Sequence, residues 1–283
     1  MFNSKMKKEA IKQLTAVGQE YATIGEKVKD NSILLLKQRQ DASTCIKEVE
    51  SYINRLANTP KEFQSKFEEI RIQVDKFRAI LDLQFDDKKA QQVTGSVSGA
   101  GVAMGAGVAA FGPSAAMAIA TTFGTASTGT AISALSGAAA TNAALAWLGG
   151  GALAAGGGGM AAGNALLAMT GPIGWAIGGL AITGGAVFMR KKNKEIALKA
   201  QSEALKISKS IAVLKAADLE ISRLTILTQE HSNNLAKQLA LLEQRAPLDY
   251  KDFDNDQKYE IGALVNNTLA LSELINKKVG YAN

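Results

Sequence analysis

Apolar positions recur every three and four residues along the first part of the chain. Leu14, Tyr21, Val28, Leu35, Ala42, Val49 and Leu56 stand seven apart, and a second row runs through Val17, Ile24, Asn31, Gln38, Cys45 and Tyr52. This spacing puts both rows on one side of an α-helix, as a packing seam requires. It predicts a helix over 4–57, about 80 Å long at 1.5 Å per residue. Asn31 and Gln38 fall inside the seam, where polar residues fix register at some cost in stability.

Asn58-Thr59-Pro60 ends that helix and opens the next, with Thr59 as N-cap and Pro60 at the first helical position. Phe63, Phe67, Ile70, Val74, Phe77 and Leu81 then repeat at 4-3-4-3-4, up to an expected end near Asp86-Asp87-Lys88-Lys89. A second arm mirrors the first. Ile207, Leu214, Ile221, Thr228, Leu235 and Leu242 lie seven apart and predict a helix over 190–245, stopped by Ala246-Pro247. An acidic, aromatic loop (Asp249 to Asp256) leads into a last helix expected to bury Ile261, Leu264, Leu271 and Ile275. No stretch alternates as a β-strand does. The expected fold is all-α: a long antiparallel bundle of two long and two shorter helices, with coiled-coil-like arms and a central helical hairpin.

Between the arms the pattern changes. The 100 residues from Ala90 to Met189 contain no charged residue and no histidine, and hold 23 of the 27 glycines. The chain therefore divides into an N-terminal arm (1–89), an uncharged centre (90–189) and a C-terminal arm (190–283). Crossing a hydrocarbon core takes about 20 apolar residues, so the centre has material for several crossings. Phe111-Gly112-Pro113 and Thr170-Gly171-Pro172 are breaks, and glycine runs at 149–151 and 156–159 read as turns. Helices are expected over 95–111, 114–148, 152–169 and 173–189.

Basic residues flank the centre: Lys88 and Lys89 before it, Arg190, Lys191, Lys192 and Lys194 after it. Positive residues prefer the cytoplasmic side. With both clusters there, the number of crossings is even, two or four. Alanine, glycine, serine and threonine dominate the centre, and these contribute less to insertion than leucine or isoleucine, each worth about −0.5 kcal/mol mid-membrane. Insertion is therefore marginal. Gly95/Gly99, Gly101/Gly105 and Gly174/Gly178 fit the small-xxx-small spacing that lets helices approach closely in lipid. The residues expected to enter the bilayer include Gly101, Gly105, Phe111, Ala139, Trp147, Leu148, Trp175 and Ile177, with either tryptophan suited to an interface. The same composition also suits the tightly packed core of a water-soluble protein. A chain that conceals the centre in one state and inserts it in another satisfies both readings.

The run Thr122 to Ile132, followed by Leu135 to Ala143 and then Trp147-Leu148-Gly149-Gly150-Gly151, resembles a glycine-rich membrane hairpin of bacterial proteins similar to the apolipoprotein L-like group. That resemblance covers about the middle third of the chain. It implies membrane perforation or permeabilisation, often in conflict or defence settings; the membrane expected is a bacterial inner membrane. Long helices around an apolar hairpin are also similar to the α-helical pore-forming toxins of the cytolysin A and haemolysin BL type. Here the apolar insert is longer, and no secretory signal is read.

Charge narrows the partners. The chain carries 32 basic and 26 acidic residues, a formal +6, divided evenly between the arms with both signs interspersed. That is a solvated helical surface, and it offers no platform for nucleic acid; a weak attraction to anionic lipid fits the basic clusters. The single cysteine, Cys45, excludes an intramolecular disulfide. Lys12, Glu20 and Glu26 interrupt any apolar run after the basic N-terminus, so synthesis in the cytoplasm and later membrane association are expected.

Catalytic chemistry finds little material. No lysine stands between Lys89 and Lys191 to complete a phosphate-binding loop, and Gly105-x-Gly107 with Ala110 follows no strand. Asp252, Asp254 and Asp256 begin like a calcium loop, but Gln257 and Ala263 stand where glycine and glutamate are needed. His231 is the sole histidine. No enzyme, cofactor or metal is expected. The leading expectation is a pore-forming, homo-oligomeric effector whose partner is the lipid bilayer. The alternatives are a membrane-anchored coiled-coil scaffold binding protein through its arms, and a soluble helical interaction module.

Overall fold

Tyr21, Val28, Leu35, Ala42 and Val49 are all buried along one continuous helix, α1 (Phe2–Arg55), and Leu56 is buried just past its end. The computed structural model describes residues 2–81, 118, 121–123 and 186–279. Three further helices follow: α2 (Lys61–Leu81), α3 (Ala186–Arg245) and α4 (Asn255–Leu274), with a 3-10 turn at Tyr250–Asp252 before α4. Among the described residues there is no strand; helices are joined by short turns, with an isolated parallel bridge between Ala57 and Asp249.

The ends of the helices follow local chemistry. Past Arg55, Asn58 takes a left-handed conformation (φ 55°), which asparagine tolerates better than most residues. Its side-chain amide donates to Asp249 Oδ2 at 2.8 Å. Helix α2 starts at Lys61, one residue after the expected position, with the Pro60 carbonyl accepting from the Phe63 N–H at 3.0 Å. Asp254 caps α4: its carboxylate accepts from the Gln257 N–H at 2.8 Å, and the Gln257 side chain accepts from the Asp254 N–H at 3.1 Å. This reciprocal box satisfies two otherwise orphaned donors.

The described residues fall into two compact units, and both long helices contribute to each. The first takes in 2–30 and 186–219. Its core is thin and alanine-rich, with Ala10, Ala197 and Ala200 in one cluster beside Met6 and Leu14. Glu20 pairs with Lys215 at 2.7 Å and Lys27 with the nearly buried Asp218 at 2.7 Å. Rising positions on α1 meet rising positions on α3, so within this unit the two helices run parallel.

The second unit takes in 31–81, 118, 121–123 and 220–279. One large core joins all four helices through Ile46, Tyr52, Phe67, Phe77, Leu235, Leu242, Ile261 and Leu271, among others. Arg71 bonds Glu50 at 2.5 Å, and Arg245 bonds Glu260 at 3.1 Å, each across an antiparallel pair of neighbours in sequence. Arg55 meets Glu243 at 2.6 Å, while Cys45 lies beside Ser232. Here too α1 and α3 run parallel. The antiparallel arrangement expected of the set is not confirmed: in the second unit each arm folds back on itself, but within each unit the two long helices run parallel. The long connection between α2 and α3 makes this possible, since a short loop would have forced neighbouring helices to alternate.

Candidate functional site

Within the second unit, Ala118 and Thr121 to Phe123 from the uncharged centre lie against two cations, the buried Arg39 and the half-buried Lys278. Ala118, Thr121 and Thr122 have no solvent exposure and Phe123 has 4%. Thr121 and Thr122 turn their hydroxyls back onto the Ala118 carbonyl, at 2.9 and 2.7 Å, as helical threonines often do. The Thr121 carbonyl, for its part, accepts from side-chain donors.

Two reach it. Arg39 Nη1 donates to Thr121 O at 2.8 Å, and Lys278 Nζ donates to the same oxygen at 2.8 Å. Arg39 Nη2 donates to the Lys277 carbonyl, and the Val279 N–H donates to Thr122 O at 2.8 Å. The tail that supplies these groups is held by the end of α4. The Asn276 side chain donates to the Gln73 carbonyl on α2 at 2.8 Å and to Ser272 O at 3.2 Å. Residues 277–279 are thereby laid against 121–122.

Among the described residues no carboxylate pairs with Arg39 or Lys278, and Arg39 Nε has no hydrogen-bond partner. Burial therefore works against both charges. It lowers the Arg39 guanidinium to about 10, and burial together with the neighbouring Arg39 charge lowers the Lys278 ammonium to about 8. The donors address main-chain carbonyls, so this clasp reads backbone position more than side-chain identity.

Most residues singled out for lipid lie outside the described residues: Gly101, Gly105, Phe111, Ala139, Trp147, Leu148, Trp175 and Ile177, with Lys88 and Lys89. Arg190, Lys191 and Lys192 lie on the helical backbone of α3, and Lys194 is exposed there. Among the described residues no helix is long and apolar enough to cross a membrane. Nor do those residues contain a group of three potential metal ligands. Asp254 is committed to its cap, and Asp256 sits in the first turn of α4. His231 is exposed. Cys45 is buried in the large core, where burial and then the nearby Glu48 charge push its thiol up.

Arg39 and Lys278 were not singled out by periodicity. Arg39 stands one position beyond Gln38, on a row with Ser32, Ile46 and Ile53 that is buried throughout. The isoleucines of that row signal a third buried stripe; nothing nearby announces that a charge would share it. Comparison of the chain with protein-family models, curated proteins and solved structures returns no match.

Proposed function

We propose that this chain is a membrane-permeabilising all-helical protein that inserts part of 90–189 into a lipid bilayer. The observation that carries this reading is the run of 100 residues without charge or histidine between two charged helical arms. The four helices form a bundle that holds the segment before insertion, and oligomers of the chain line the opening afterwards. Two features support storage before insertion. Ala118 and Thr121 to Phe123 belong to the uncharged run and are buried, and Arg39 and Lys278 bond their backbone. The alanine-glycine composition keeps the cost of both environments low.

Release of a trapped dye from liposomes by the purified full chain tests the reading. Gly101→Asp and Ala139→Asp each place a charge in the run and are expected to abolish release while leaving the arms helical. Vesicles that stay sealed at every protein concentration, pH and lipid composition tried would overturn it.

A further inference from the structure

The first part of α3 carries a row of exposed leucines. Leu198 is 50% exposed, Leu205 61% and Leu219 72%. With the exposed Ala212 they stand seven apart, so on a gently supercoiled helix they form one stripe, about 32 Å long. The other side of the same helix is already occupied: Ala197, Ala204, Ile211 and Leu214 are buried. This stretch of α3 is apolar on two faces, and the described residues leave one uncovered.

The surroundings of the row are cationic. Lys199 and Lys209 are exposed beside it, as is Lys206, which pairs with Glu203 at 2.9 Å. Residues 2–30 and 186–219, the described part of this unit, carry 14 basic and 7 acidic side chains. The described residues of the second unit carry 16 of each. The positive excess is thus confined to the unit that bears the leucines. A second copy docking on this face would set like charge against like charge. An anionic bilayer would not: leucines enter the acyl boundary while lysines reach headgroup phosphates and carboxylates.

We propose that the face of α3 marked by Leu198, Leu205 and Leu219 binds anionic lipid bilayers peripherally. The site lies outside 90–189 and does not depend on insertion. Co-sedimentation of the full chain with vesicles of phosphatidylcholine containing phosphatidylserine tests it. The parent chain is expected to sediment with these vesicles at low salt, and to be released by high salt or by omitting phosphatidylserine. Combining Leu198→Gln, Leu205→Gln and Leu219→Gln is expected to weaken partitioning about tenfold or more, as is Lys199→Glu with Lys209→Glu. Unchanged far-UV circular dichroism establishes that these exposed substitutions leave the helices intact. Ala139→Asp is expected to sediment like the parent even where dye release is lost, which separates this proposal from insertion. The proposal is overturned if the triple leucine variant, fully helical, partitions like the parent, or if neutral vesicles bind equally well. A lipid-free dimer that the triple variant abolishes would equally overturn it, giving the face to a second copy.

Discussion

Arg39, with no solvent exposure, holds the carbonyl of Thr121 at 2.8 Å across 82 residues of sequence. A buried guanidinium with no carboxylate paired to it among the described residues is costly, and the carbonyls of Thr121 and Lys277 offset that cost. Arg39→Ala removes both bonds, leaves the buried Thr121 carbonyl with Lys278 as its remaining side-chain donor and the Lys277 carbonyl without Arg39, and opens a cavity. The expected loss is about 3 kcal/mol, read from urea unfolding midpoints. Arg39→Met keeps most of the volume and removes the buried charge, so its loss should be smaller, about 1 kcal/mol. Both variants should speed chymotrypsin cleavage after Phe123, which is buried in the parent. A cleavage rate unchanged in both would mean that Arg39 does not hold this segment.

Lys278 gives the clasp a pH dependence of predictable sign. Its ammonium is lowered from 10.5 to about 8, first by burial and then by Arg39. Below about pH 8 the lysine is charged in both states, and the folded state bears the cost of burying it. Between that value and 10.5 the folded lysine is neutral while the unfolded one still holds its proton. Stability attributable to this group therefore rises with pH across that window, by at most about 3 kcal/mol. Lys278→Met lacks the titration. The difference in unfolding free energy between parent and variant should shift in favour of the parent from pH 7 to pH 10. Parallel pH profiles for the two proteins would sink this assignment.

Asp254 tests the capping box. Its carboxylate accepts from the Gln257 N–H at 2.8 Å at the start of α4, where the helix dipole also favours a negative charge. Asp254→Ala should cost about 1 kcal/mol, and Asp254→Asn appreciably less, since asparagine keeps the acceptor. Asp252, outside the box, serves as the control: its alanine variant should unfold within about 0.5 kcal/mol of the parent.

Much of the helical framework was legible because one periodicity dominates each arm. The row from Tyr21 to Leu56 is buried as its spacing requires, and so are Phe63, Phe67, Ile70, Val74 and Phe77 on α2. Two features were not legible. The first is the breadth of the buried face of α1 in the second unit, where three neighbouring helices share one core. A two-row seam describes a helix with one partner; added partners bury the Ser32, Arg39, Ile46 and Ile53 row as well. Gln38 accordingly stays half-buried while Arg39, one residue on, is enclosed. The second is the direction of α3 relative to α1. Heptad spacing is the same read in either direction, so it fixes which side of a helix is buried and leaves parallel and antiparallel pairing equally open.

Zero-length cross-linking decides that direction chemically. A carbodiimide joins a lysine to a carboxylate only when the two are in direct contact. Lys215 Nζ lies 2.7 Å from Glu20 Oε1, with both side chains about half exposed, and Lys27 lies 2.7 Å from Asp218. Parallel helices bring both pairs together within the first unit. An antiparallel pair in contact at Glu20 and Lys215 would move Lys27 away from Asp218: seven residues up α1, its neighbour would lie about seven residues down α3, near Ser208, instead of three residues up. Mass spectrometry of the digested monomer should therefore find the Glu20–Lys215 link together with the Lys27–Asp218 link. Glu20→Gln should remove the first and spare the second. Links from Lys27 to Glu203, in place of Asp218, would show the long helices to be antiparallel and would overturn the arrangement described for this unit.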